Sequence, residues 1–408
     1  MSLPAQVESG FDQMWEALAS VGHYPGTGGY RRYAWTAEDA TLREWFAGEA
    51  ASRGMDLATD RAGNQWAWWG DPDAAVAAGM PGLAAGSHLD SVPDGGPFDG
   101  PLGVVSAFLA IDTLRDRGFE PARPVGVANF VDEEGARFGV ACAGSRLLTG
   151  ALDPDRARAL TDAEGVTLAQ AMTAAGTDPA GLGRDGETLA RVGTFLELHI
   201  EQGRALVEQG RPVAVASAIW PHGRWRIDLW GEANHAGTTR LADRHDPMLD
   251  LAAVIAAARN AAATQRCLAT VGKVSVEPNA INAIPSLVRA WLDVRGPEEP
   301  EVKGIATVVA AAGRTLAVEE SFTASTEFDP ELRDRLVAIL GQAPVLPTGA
   351  GHDAGILSSA GIPAAMLFVR NPTGVSHSPV EHATRDDCLA GVEALATAIA
   401  TLTGDPEP

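Results

Sequence analysis

Residues 85–105, AGSHLDSVPDGGPFDGPLGVV, constrain the fold more than any other stretch. The apolar residues Leu83, Ala84 and Ala85 lead into Gly86-Ser87-His88-Leu89-Asp90, and a loop of Pro, Gly and Asp follows. After Asp99 a helix-like segment begins near Leu102. An imidazole and two carboxylates just past a buried strand are what a metal site needs. Strand, polar loop and helix in that order also start an α/β layer.

The rest of the chain extends this alternation. Residues 5–20 form an amphipathic helix with Val7, Phe11, Trp15 and Leu18 on one face, and 22–36 form a Gly-rich loop. Thr36 caps a helix through residue 53, with Leu42, Trp45 and Phe46 facing inward. Short strands at 57–59 and 65–69 precede the strand into His88. A helix over 103–117 leads to a β-like run, 125–131, that stops at Asp132-Glu133-Glu134. Ala-rich segments at 154–160 and 167–175 are short peripheral helices, and strand 192–200 delivers His199, with Glu201-Gln202-Gly203 directly behind it.

The pattern changes near Pro212. Residues 213–230 alternate as a strand pair around Pro221-His222-Gly223; helix 247–263, strands 268–276 and 287–294, helix 298–313 and strand 318–326 follow. That is an α+β layer. Helix–strand alternation returns with helix 331–340, the loop GAGHDAG, strand 364–369, the loop NPTGVSHSPVEHA and helix 385–402. The reading is an α/β catalytic domain, 1–211 and 327–408, with a central mostly parallel sheet, interrupted by an inserted α+β domain, 212–326.

Composition narrows the partners. A chain of 408 residues, 46% hydrophobic and 21% charged, is long enough for about two or three domains with real cores. A net charge of −22 argues against nucleic acid or an anionic membrane, though a local cationic pocket can still take a small anion. Cys142, Cys267 and Cys388 form no CxxC, which points to reduced thiols in the cytoplasm. The start lacks a basic segment followed by an apolar core, and no apolar run approaches a membrane span.

Four places set metal-ligating residues at strand ends: His88/Asp90/Asp99, Glu133/Glu134, His199/Glu201 and His377/His382. Singly each is weak, because a lone histidine beside an aspartate is usually structural. In an α/β sheet, however, the carboxyl ends of the strands converge on one crevice. Such an inventory suits two zinc ions roughly 3.5–4 Å apart. One carboxylate must bridge them, and Asp99 in its Gly-flanked loop is the candidate. A spare carboxylate must act as general base toward water, and Glu133 suits that role.

The segments GSHLDSVPDGGPFDGPLGV, DEEGARFG, ELHIEQG, GEANHAGTT, EPNAINAIPS, GAGHDA and GVSHSP closely resemble, in order, the dinuclear-metal amidases that hydrolyse N-carbamoyl groups. These are the N-carbamoyl-L-amino acid hydrolases, allantoate amidohydrolases and β-ureidopropionases, related to the aminoacylase and desuccinylase metallopeptidases. The resemblance implies a metallopeptidase-like catalytic domain with two divalent metal ions, zinc first, manganese or cobalt as alternatives. One ion would be held by His88, Asp99 and His199 and the other by Asp99, Glu134 and His377, with Glu133 as base. Asp90 would orient His88, and His352 and Asp353 would support the second ion. An imidazole at residue 199, followed by Glu-Gln-Gly, favours the carbamoylase branch over the peptidase branch. His382 departs from the pattern and is read as a bystander.

The same resemblance implies the substrate end. Arg295 would clamp a carboxylate, His235 would polarise the scissile ureido carbonyl, and Asn282 and Gln202 would hydrogen-bond the carboxylate or ureido group. The inserted domain would act as lid and dimerisation surface of a homodimer, with His235 of one chain able to serve the other. The expected activity is hydrolysis of an N-carbamoyl-L-α-amino acid. Allantoate hydrolysis is the nearest alternative, then β-ureidopropionase and aminoacylase or peptidase chemistry, and last a non-catalytic binding protein.

Overall fold

The computed structural model describes residues 3–404; residues 1–2 and 405–408, the ends of the expected catalytic domain, lie outside the described residues. The chain divides into two compact units: 1–217 with 327–346 and 351–408, and 218–326 with 347–350.

The first unit is built on a nine-stranded sheet. At its centre Ala364–Val369, Val192–Ile200, Gly82–His88 and Val125–Phe130 lie side by side and parallel. Gln65–Trp69 and Asp56–Thr59 extend one side antiparallel, and Val213–Ile219 runs antiparallel to Ala364–Val369 on the other. Strands Gly82–His88, Val125–Phe130 and Ala364–Val369 are buried at every residue, which is why they read as continuous apolar runs. Alternate residues of these strands share a core with helices Ala5–Ala19, Pro101–Asp116 and Arg385–Thr403. Leu196, Leu198 and Ile200 belong to that core, so Glu197 and His199, between them, point to the opposite face.

The second unit is a four-stranded antiparallel sheet in the order Leu268–Glu277, Leu287–Arg295, His222–Trp230, Ala317–Thr323. Helices Pro247–Thr264 and Glu299–Ala312 bury Val254, Ile305 and Val309 against Ile227, Leu229, Val288 and Leu292. Alternating burial along His222–Trp230 gives the period of two that the sequence carries.

Some expectations fail in instructive ways. Residues 213–230 do not pair with each other: Val213–Ile219 joins the nine-stranded sheet and His222–Trp230 the four-stranded one. Val213–Ile219 is buried over most of its length rather than alternating. Residues 353–355 of GAGHDAG open the helix Asp353–Ser359 instead of continuing a loop. The Gly-rich segment 22–36 contains a small hairpin, His23–Tyr24 with Gly29–Tyr30. In the first helix Met14 enters the core where Trp15 was expected, and Trp15 is half-buried.

Candidate metal centre

The parallel strands bring their carboxyl ends together, and the predicted donors sit there. His88 ends strand Gly82–His88, Glu133 and Glu134 follow Val125–Phe130, and His199 lies near the end of Val192–Ile200. Asp99 stands just before helix Pro101–Asp116, while His377 lies in the loop between Ala364–Val369 and Arg385–Thr403. Gly100 between Asp99 and that helix has φ of 85°, and a side chain there would collide with the His88 ring.

Two groups of donor atoms form, His88–Asp99–His199 and Asp99–Glu134–His377, each with its ligand atoms within 4.8 Å of one another. The two oxygens of Asp99 are divided between them. Oδ1 faces His199 Nε2 at 3.1 Å and His88 Nε2 at 3.7 Å, whereas Oδ2 faces His377 Nε2 at 3.4 Å. Glu134 Oε1 lies 3.7 Å from His377 Nε2. Donors 2.0–2.1 Å from a tetrahedral ion lie about 3.4 Å from each other, so these spacings suit a bound cation. Among the described residues His88 Nε2 and Glu134 Oε1 are buried without a hydrogen-bond partner, which a metal ion would remedy.

The other ring nitrogens are engaged. His199 Nδ1 is 2.9 Å from the Ile200 carbonyl, so it carries the proton and turns its Nε2 lone pair inward. His88 Nδ1 lies 3.2 Å from Asp90 Oδ1. Asp90 does more: its oxygens also accept from the amides of Glu133 and Glu134 at 3.2 and 3.1 Å.

The pocket is strongly acidic. Burial pulls the His199 pKa down, but Asp99 outweighs it and holds the imidazole at about 9. Burial raises Glu134 to about 8, with Asp99 adding to the effect. A divalent cation would take over the charge role of these protons and release them on binding. Glu133 is pushed well above the usual carboxylate range, chiefly by burial, with His88 opposing. Its Oε2 is 3.7 Å from His88 Nε2, and its Oε1 accepts from the Cys142 thiol at 3.4 Å.

The remaining predicted residues make local contacts. Gln202 donates to Asp99 Oδ2 at 3.0 Å, so its amide braces the donor cluster. The His352 ring packs edge-on against His199 at 4.6 Å, beside the His88–Asp99–His199 group rather than the second. Asp353, fully buried, accepts from the Ser145 hydroxyl at 2.5 Å as it opens its helix. His382 is exposed and touches Phe98 edge-on. In the second unit, Gly237 N donates to His235 Nδ1 at 3.0 Å, leaving the neutral ring its proton on Nε2. Ala236 N donates to the Asn282 carbonyl at 2.9 Å, which holds Asn282 and His235 on neighbouring chain segments. Arg295 Nε and Nη2 pair with both oxygens of Asp293, at 2.8 and 3.2 Å, and Nη1 donates to the Gly349 carbonyl at 2.8 Å. One N–H on each Nη remains to meet a carboxylate.

Sequence reasoning missed Glu381, Ser376 and Glu197. Glu197 had a legible signal: an acid inside the apolar run Phe195-Leu-Glu-Leu-His-Ile must find partners, here the Ser87 hydroxyl at 2.7 Å and Ala354 N at 3.0 Å.

A mostly parallel sheet with a cluster of acids and imidazoles at its carboxyl end is the arrangement of a metal-dependent α/β protein. The chain belongs to peptidase family M20/M25/M40, whose model matches residues 84–401. It is similar to the N-carbamoyl-L-amino acid amidohydrolase of Geobacillus stearothermophilus, 37% identical over 94% of this chain and 96% of that one. The allantoate amidohydrolase of Escherichia coli K12 is 30% identical, over 93% and 94% of the two chains. A crystal structure of a hydantoinase/carbamoylase family amidase from Burkholderia multivorans matches with a TM-score of 0.85 at 27% identity, covering 100% of both chains.

Proposed function

We propose that the protein hydrolyses the ureido C–N bond of an N-carbamoyl-L-α-amino acid, giving the free amino acid, carbon dioxide and ammonia. The observation that carries the two-ion part is the division of Asp99 Oδ1 and Oδ2 between separate imidazole groups. The relationship to a carbamoyl-amino-acid amidohydrolase supports the substrate class.

Two divalent ions, zinc or in its place manganese or cobalt, would be held by His88, Asp99, His199, Glu134 and His377, and would supply Lewis acidity at the carbonyl and acidify a water. Glu133 takes the proton of the attacking water and returns it to the leaving nitrogen as the C–N bond breaks. Its place beside the donor group without belonging to it, with Oε2 3.7 Å from His88 Nε2, supports that role. His235 donates from Nε2 to the carbonyl oxygen as it gains negative charge. Arg295, held flat by Asp293 and Gly349, receives the substrate carboxylate, and Asn282 adds a hydrogen bond. The second unit serves as lid and homodimer surface, which its exposed Trp230 and Leu241 support. A cytoplasmic setting is supported by free, buried Cys142, Cys267 and Cys388. Among the described residues no helix is long and apolar enough to cross a membrane.

The test is an ammonia-release screen of metal-loaded protein on N-carbamoyl-L-amino acids, allantoate and N-carbamoyl-β-alanine. Preference for the first class is expected; preference for allantoate would transfer the assignment to the activity of the second relative. Within that screen Arg295→Ala should lower kcat/KM on carboxylated substrates by about 30-fold, roughly 2 kcal/mol for a lost charged pair, and spare their amides. Equal losses on both would remove the clamp.

A further inference from the structure

Glu381 belongs to neither donor group, yet it is joined to both. It is 4% exposed, and its Oε2 accepts from the amides of Phe98 and Asp99 at 2.9 and 3.0 Å. Its Oε1 lies 3.3 Å from the Ser376 hydroxyl, which is also 3.1 Å from Asp99 Oδ2. Ser376 immediately precedes His377. A side chain at residue 96 would collide with the Glu381 carboxylate, so Gly96 provides the room in which it sits. One buried carboxylate thus grips the backbone that aims Asp99 and the loop that carries His377.

We infer that Glu381 is the positioning residue that keeps Asp99 within reach of two ions at once. The inference rests on the two-ion reading above. A bridging carboxylate must serve ions roughly 3.5–4 Å apart, so a small rotation of its backbone favours one ion and abandons the other. Asp99 stands in the loop just before helix Pro101–Asp116, and the two amide bonds to Glu381 fix its backbone on the side away from that helix's first turn. Had Glu381 only satisfied two buried amides, its loss would weaken the metal-free protein and the loaded protein alike.

The test compares wild type with Glu381→Ala, Glu381→Asp and Glu381→Gln, each stripped by chelator. Each is titrated with zinc by calorimetry and melted with and without the ion. Wild type should take up two ions per chain, one for each donor group; fewer would overturn the two-ion reading and the inference with it. Given two, Glu381→Ala and Glu381→Asp should bind the weaker ion roughly 10–100-fold less tightly and lose most of the second ion's rise in Tm. Glu381→Asp keeps the charge but is one methylene too short to reach, and decides the matter if the alanine variant does not fold. Glu381→Gln, whose carbonyl oxygen can accept both amides, should bind both ions as wild type does. Wild-type affinity for both ions in the shortened variants would overturn the inference, and so would a Tm loss of equal size with and without zinc.

Discussion

Glu133→Gln should lower kcat by about 10²–10⁴ while KM and the uptake of metal stay near wild type. The amide matches the carboxylate in shape and can still accept from the Cys142 thiol, so the pocket keeps its packing. What it cannot do is take a proton. Glu133 is in neither donor group, so its replacement should leave ion binding unharmed. Steady-state kinetics together with metal analysis of the same preparation make the measurement. Near-normal turnover by a variant with full metal content would refute Glu133 as the base.

Chelation should have the still larger consequence of abolishing ureido hydrolysis, with zinc, manganese or cobalt restoring it. The buried Nε2 of His88 and Oε1 of Glu134 lack partners among the described residues. A buried group in that condition costs about 1–3 kcal/mol. Stripping should therefore also lower Tm, since an ion present at a thousand times its Kd stabilises the folded chain by about 4 kcal/mol. Hydrolysis that survives exhaustive removal of metal would sink the two-ion reading.

Much of this could be read from the chain alone, for identifiable reasons. The central strands are buried on both faces and so announce themselves as apolar runs, and His88, Glu134, His199 and His377 lie at or just past their ends. Other features depend on partners that no local pattern specifies. Glu381 acts on amides 282 and 283 positions away, so nothing beside it marks its target. Val213–Ile219 carries residues acceptable to either sheet, and only pairing with Ala364–Val369 decides. His352 stands where helix Asp353–Ser359 begins, a start that the glycines of GAGHDAG conceal, and its ring is carried against His199.

The place of strand Ala364–Val369 between Val192–Ile200 and Val213–Ile219 bears on how the protein comes into being. The middle of the sheet is filled by a segment synthesised well after both of its neighbours. Until it arrives, its neighbours have open edges and a bare apolar face, and the loop bearing His377 and Glu381 does not yet exist. His88, Asp99, Glu134 and His199 leave the ribosome long before the strand that completes their sheet. Closure of the sheet and completion of the Asp99–Glu134–His377 donor group thereby wait on one stretch of chain, residues 364–377.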